Sequence, residues 1–422
     1  MSEPATLWHA TAAPLAPFAP AKGDSETDLL VIGAGFTGLS TALHAAEAGH
    51  RVTVLEAHRI AWGASGRNAG FVVPNFAKVD PDAVIARLGP ERGAALNRFA
   101  AESADLVFDL IRRHAIGCDA LQSGWIQPAH SDAALARTAS RARQWQALGR
   151  PVEALSARDI EALTGATGYK GGWIDRSGGV LNPVGYARGL ARAAASAGAR
   201  LHEMSPVTAL TPSGTGWLAK TPLGQIRARR VVLATNAYPG GLFPGLSHSF
   251  LPLKVFQIAT EPLPASARKR LLPEGQAVSD TRRNLFTFRF DAENRLITGG
   301  MHILGPGADQ RVPRNIHRRL ARLLDLPDLP PLAYAWSGLA SVMTDFLPAV
   351  LELAPGLIAG FACNGRGIAM TTRLGRDLAR WAEGAPVSVP TRPLAPIAMH
   401  ALARHAPQAL LPWSMLKDRL DR

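Results

Sequence analysis

Residues 62–71 read WGASGRNAGF, which sets three glycines, one permanent cation and two amide or hydroxyl donors within eight positions. Glycine lets a backbone approach a ligand closely or adopt positive φ. Ser65, Arg67 and Asn68 supply hydrogen-bond donors suited to an anion or a polar heterocycle. An ordinary turn can have the same composition, so the meaning of this loop depends on the elements that deliver it.

Those elements precede it. Asp28–Ile32 is a short apolar run that predicts a buried parallel strand. The pattern Gly33-x-Gly35-x-x-Gly38 follows at once, and Leu39–Ala48 is rich in helix formers and closes at Gly49. Arg51–Leu55 predicts a second strand, ended by the acid Glu56. Glycines between a strand and a helix, with an acid closing the next strand, are the dinucleotide-binding fingerprint. Gly33 permits the tight turn, Gly35 the approach of a pyrophosphate and Gly38 the packing of helix on strand. The helix N-terminus offers N–H groups and a positive dipole end to the diphosphate. Glu56 would accept from ribose hydroxyls and repel a 2′-phosphate, which argues against NADP. The loop 62–71 then leaves the second strand beside the pyrophosphate and runs toward the other end of the dinucleotide.

Composition narrows the alternatives. The 422 residues predict about two domains, and 47% hydrophobic with 19% charged residues marks a globular chain. No apolar run reaches the length of a membrane span. The first residues carry Glu3 and several prolines where a signal peptide needs a basic and then an apolar segment, so we expect an extended arm on a cytoplasmic protein. Two cysteines, Cys118 and Cys363, are too few for a disulfide framework or a cysteine-rich metal site, and the histidines have no metal-ligand spacing, so no metal is expected. The net charge of +13 raises the question of nucleic acid. However, only 7 of the 46 basic residues are lysine and the arginines are dispersed, so compositional bias is the simpler account and no nucleic-acid partner is expected.

Distant segments complete a likeness. Residues 33–70, GAGFTGLSTALHAAEAGHRVTVLEAHRIAWGASGRNAG, Arg230–Tyr238, Trp336-Ser337-Gly338 with Asp345 and Pro348, and Gly360–Ile368 together resemble the FAD-dependent oxidoreductases of the D-amino-acid oxidase, glycine oxidase and sarcosine oxidase family, nearest its gamma-glutamylputrescine oxidase-like branch. An arm resembling SLWxAT also precedes the first strand in that branch. The likeness spans about residues 5–385. Relatives often show GFSGHG where this chain has Ala362, Cys363 and Asn364, and a glycine soon after Pro348 where it has Ala349-Val350-Leu351. These departures leave the class intact and the substrate branch open.

The resemblance implies an α/β, two-domain fold: a Rossmann-like FAD-binding domain from about 24–80, 150–243 and 334–390, and an antiparallel-sheet substrate domain from 81–149 and 244–333. Residues 1–23 form an arm and 391–422 an extension. It also implies FAD contacts at Gly33, Ala34, Gly35, Phe36, Thr37, Gly38, Glu56, Ala57, Ser65, Gly66, Arg67, Asn68, Ala69, Val207, Ala234, Thr235, Asn236, Gly338, Gly365, Arg366, Gly367 and Ile368. Covalent relatives use a cysteine shortly before the acid of the W-x-G…D segment or a histidine in the first flavin loop. This chain has neither between Trp336 and Asp345 or within 62–71, so the FAD is expected to be non-covalent.

The implied reaction is oxidation of an amine or amino acid, with hydride leaving the α-carbon for flavin N5 and the imine hydrolysing; the electron acceptor is oxygen or a quinone. Because the cofactor carries the hard step, no catalytic triad or carboxylate pair is required, and none is found. Arg289, Arg366 and Trp336 are the candidates on the substrate side. In 284–290, Phe286, Phe288 and Phe290 share one face and Thr287 and Arg289 the other. Arg289 is therefore expected to receive a substrate carboxylate, with a pairing to Asp291 or Glu293 as its bland alternative. Phe286, Phe288, Tyr238 and Trp336 could wall the pocket, although core packing is the commoner role of such aromatics. His302 and Cys363 are expected to be structural. Among rivals, an NAD-dependent dehydrogenase leaves the late GFACNGRG loop unused. A flavin monooxygenase drawing on NADPH would want a second glycine fingerprint, and a basic nucleic-acid-associated module needs neither Glu56 nor the loop.

Overall fold

The computed structural model describes residues 4–301, 306–406, 408, 409, 411–413 and 417; His302 lies outside them. The central strand, β1 (Ser25–Ile32), is flanked by β2 (Val52–Leu55) and by Gly224–Leu233, all parallel. Its end is buried on both faces: Leu29 and Val31 enter one core cluster, Leu30 and Ile32 another. A continuous apolar run is what a parallel strand covered on both sides requires. Arg200–His202, Leu357–Phe361, Ala349–Ala354 and Thr391–Pro393 extend this sheet, and the ribbon Ala209–Ser213/Gly216–Thr221 pairs off Gly224–Leu233.

The connecting helix, Phe36–Glu47, starts three residues ahead of the run expected from composition. Its N-cap is Gly35, so Thr37 and Gly38 already lie in the first turn, against the strand. It packs between β1 and the helix Gly367–Ala382, where a Cβ on Gly375 would collide with Thr37 and Ser40.

The second sheet has eight strands, in the order Leu332–Val342, Leu251–Pro262, Arg295–Met301, Thr287–Phe290, Ala277–Ser279, Trp125–Ala129, Gly171–Asp175, Val152–Ser156. The expected hairpin is present, with Arg289 opposite Ile297 and Phe290 opposite Leu296. Its strand is shorter than the alternating pattern, because the buried Asp280 carboxylate takes the N–H of Phe286 and bends residues 281–286 into a loop.

Three boundaries move. Val152–Ser156 and Gly171–Asp175 pair with each other and with Trp125–Ala129, so the chain returns to the first sheet well after 150. Leu332–Val342 belongs to the second sheet, past the boundary drawn at 334. Thr391–Pro393 adds to the edge of the first, inside the presumed extension. In each case backbone pairing between distant segments, not local composition, decides membership. Among the described residues no helix is long and apolar enough to cross a membrane.

Candidate active site

The fingerprint forms the cradle its spacing demands. Gly33 has φ 107°, and a Cβ there would stand 2.9 Å from Ala234 O. A Cβ on Gly35 would meet Ser65 Oγ at 2.8 Å, and one on Gly38 would collide with Gly33 O. Ser65 Oγ accepts the N–H of Phe36 at 3.0 Å, so its hydroxyl sits at the helix N-terminus where a diphosphate binds. At the end of β2, Glu56 Oε2 accepts from Ala34 N at 2.8 Å and Oε1 from His58 N at 3.0 Å. Burial pushes its carboxyl above the usual range, against those two N–H groups. Each oxygen retains a lone pair for a ribose hydroxyl.

A cavity of about 1100 Å³ starts at this cradle. Gly33 to Thr37, then Glu56, Ala57, Ser65, Arg67, Asn68, Ala69 and Val207 line it, and Gly38 does not. Ala234, Thr235, Asn236, Tyr238, Gly338, Gly365, Arg366, Gly367 and Ile368 do so from the return strand and the late loops. Gly38 and Gly66 serve by packing: Gly66 leaves no room for a side chain against Ala61 O and His9. Asn236 (φ 47°) and Asn364 (φ 41°) hold left-handed turns beside the cavity. Asn364 Oδ1 accepts from Met343 N at 2.8 Å, tying the last loop to the end of Leu332–Val342.

The opening loop is shaped more by its own polar groups than expected. Asn68 Nδ2 donates to Ala64 O and Ser65 O, and its Oδ1 accepts from Gly70 N, so its amide builds the turn. Arg67 donates to Trp62 O and Ser337 O and lies 4.7 Å from the Trp62 ring centre. The arm is a further support: in α1 (Leu7–Thr11) Trp8 Nε1 donates to Asn68 O at 2.7 Å, and Trp8 is 1% exposed.

Two expected substrate residues are not in the chamber. Arg289 is on the predicted face of its strand but 2% exposed. Its Nε donates to Phe290 O at 3.0 Å, and its Nη1 to Gly70 O and Leu181 O at 2.8 Å each. Its guanidinium lies 5.2 Å from the Trp8 ring centre. Desolvation pushes it down to about 9. The nearby acids are engaged elsewhere, Asp291 and Glu293 both pairing with Arg295. Arg289 is therefore a clamp on the flavin loop, neither a carboxylate anchor nor the sheet-edge ion pair. Trp336 is likewise structural: its Nε1 donates to Arg67 O at 3.0 Å and its ring meets Trp8 edge-on. Phe286, Phe288 and Phe290 lie in the core with Leu320 and Leu324.

Arg366 does reach the cavity. Its guanidinium stacks over Trp125 at 4.6 Å, and Nη1 is buried without a partner among the described residues. Desolvation, then the neighbouring Arg141, push it down to about 9, and Asp80 opposes this. A guanidinium keeps its proton through the working range, so Arg366 is a buried cation.

The sequence reading missed the wall opposite. Lys78, Asp80, Gln127, Arg137, Arg141, Arg282 and Arg283 line the same cavity. Arg141 pairs with Asp80, and its Nη1 donates to Gln127 Oε1 at 3.3 Å. One signal was available: Arg137 and Arg141 are spaced i, i+4 on one helix, Asp132–Ala147, and so share a face.

A glycine cradle, a ribose acceptor at Glu56, a long cavity and a cationic chamber beyond fit a flavin dinucleotide enzyme. The family described as FAD dependent oxidoreductase matches residues 28–381. Gamma-glutamylputrescine oxidoreductase of Escherichia coli (strain K12) is 31% identical over 387 residues, 91% of this chain and 90% of that protein. Glycine oxidase of Geobacillus kaustophilus (strain HTA426) is 26% identical over 336 residues, 76% of this chain and 83% of that one. The crystal structure of glycine oxidase from Geobacillus kaustophilus superposes with a TM-score of 0.70 at 23% identity, covering 86% of this chain and 96% of that one, a likeness of fold. The chain belongs to the FAD dependent oxidoreductase family, and its cofactor is FAD.

Proposed function

We propose that the protein oxidises an amine or amino acid that carries an anionic group, and that Arg366 binds that group. The observation that carries this reading is that Arg366 lines the cavity that begins at the FAD cradle and has a buried Nη1 with no partner among the described residues. A guanidinium fork binds a carboxylate through two parallel hydrogen bonds, which adds orientation to affinity. The likeness to amine and amino-acid oxidoreductases supports the same substrate class. Bound FAD supplies the two-electron acceptor for a carbon–hydrogen bond next to nitrogen.

The chain's own residues do the rest. Gly33, Gly35 and Ser65 shape the diphosphate site, and Glu56 holds the ribose. Trp8, Arg289 and Trp336 fix the loop 62–71 from behind by gripping its carbonyls and those beside it. Trp125 supports the guanidinium of Arg366 from one side, so the bound amine is held by its anionic end. The absence of a cysteine from 336–345 and of a histidine from 62–71 supports FAD held without a covalent bond.

The test is anaerobic reduction of the purified flavoprotein by amines and amino acids of differing charge, followed by admission of oxygen and, separately, of a quinone. Bleaching by amino acids or N-substituted amino acids supports the reading. A flavin that no amine reduces refutes it. Acid precipitation should leave the yellow colour in the supernatant, and a yellow pellet would contradict non-covalent binding.

A further inference from the structure

The strand Trp125–Ala129 presents Trp125 and Gln127 on one face, because side chains two apart on a strand point the same way. Each carries a guanidinium: Arg366 over the Trp125 ring, Arg141 on the Gln127 amide oxygen. The two supports stand about 7 Å apart, two residues along the strand. Arg137 follows one helical turn from Arg141, exposed at the rim of the same cavity.

The acids on this wall are already matched. Asp80 pairs with Arg141, and Asp280 with Arg282 while also accepting the N–H groups of Arg282 and Phe286. Arg366 and Arg137 have no acidic partner among the described residues. The chamber thus holds two unmatched guanidiniums, one deep and one at the mouth, with Arg141 between them.

We propose that the substrate carries two anionic groups, an amino diacid or an amine bearing two carboxylates, with one group on Arg366 and the other between Arg141 and Arg137. This rests on the reading of the chamber as the substrate site. The arrangement selects against a di- or polyamine, whose second cation would face the three arginines. It also favours diacids of succinate or glutarate length, which can reach both stations.

The experiment titrates glutarate and butyrate, neither of which can be oxidised at a carbon–nitrogen bond, into the FAD-loaded protein. Binding is followed by calorimetry and by perturbation of flavin absorbance. Glutarate should bind about tenfold or more tightly than butyrate. Arg141→Gln should erase that advantage, weakening glutarate far more than butyrate. Arg137→Gln, a surface change that leaves the fold intact, should reduce the advantage in part. Arg366→Gln should weaken both ligands. Equal binding of glutarate and butyrate by the wild type, or a glutarate advantage that survives both Arg137→Gln and Arg141→Gln, overturns the proposal. Its failure is distinct from failure of amine oxidation: in the first case monocarboxylate amines bleach the flavin as fast as diacid amines, and in the second no amine bleaches it.

Discussion

Two regions of this molecule hold a buried arginine over a tryptophan, and they do opposite things. On the flavin loop Arg289 lies over Trp8; on the chamber wall Arg366 lies over Trp125. Burial presses both guanidiniums down to about 9. The difference is in the hydrogen bonds. Arg289 gives its N–H groups to the carbonyls of Gly70, Leu181 and Phe290, whereas Arg366 keeps a buried Nη1 without an acceptor among the described residues. Burial and residue type do not separate a structural arginine from a binding one. The separating observation is whether the protein itself supplies the acceptors.

The comparison can be broken most directly at Arg289. Arg289→Met keeps much of the volume but takes the donor from the buried Phe290 and Leu181 carbonyls and one of two donors from Gly70 O, which keeps the N–H of Leu181, at about 1–3 kcal/mol for each of the first two and roughly 2–6 kcal/mol together. The denaturation midpoint should fall and FAD should be released, while the fraction still loaded shows an unchanged half-saturating substrate concentration. A stable, flavin-loaded variant with impaired substrate binding would reverse the two assignments.

At Arg366 the pattern should invert. Arg366→Gln removes a charge-assisted bond to the substrate anion worth about 1.5–3 kcal/mol, so half-saturation should rise by roughly tenfold to a hundredfold. The denaturation midpoint of the ligand-free protein should hold or rise, because a buried unpaired charge has gone. A marked loss of stability with normal half-saturation would make Arg366 a second clamp.

Glu56 sharpens the contrast within the FAD cradle. Glu56→Gln should weaken FAD retention by about 1.5 kcal/mol, read from flavin occupancy after dialysis. Its pH behaviour follows from burial. A carboxyl raised in the fold contributes stability that is complete below its unfolded value and lost as pH rises through the raised value. Above that value the ionised group weighs against the fold, whereas Glu56→Gln loses one of the two backbone N–H bonds at every pH, so any stability deficit of the variant apoprotein should shrink as pH rises. A deficit that grows with pH would contradict a carboxyl raised by burial.

Trp8→Phe tests the arm with the smallest effect. The smaller ring keeps part of the contacts with Trp336 and Arg289, and the bond to Asn68 O is lost, about 1 kcal/mol. Slightly faster FAD release with unchanged substrate half-saturation is expected. No change in release would detach the arm from the loop's support.

Local chemistry made the glycine cradle legible. The glycine spacing between strand and helix, Glu56 at the end of β2 and the loop 62–71 are each set within a few residues, by positive φ, close approach and strand burial. The same reading erred where meaning depended on what covers a face. Two-residue periodicity put Arg289 opposite its phenylalanines, as found, but it could not show that Gly70, Leu181 and Trp8 close over that face. It also could not join Arg141 to Gln127, since a helix and a strand meet there through tertiary packing.

What the sequence determined by itself, then, is the cradle and the cofactor it implies, because each depends on backbone conformations that neighbouring residues dictate. Only the tertiary structure decided which arginine faces the cavity and which one grips the loop. A guanidinium makes the same bonds to a carbonyl as to a ligand, and the choice between them is made by whichever acceptor the fold brings within reach.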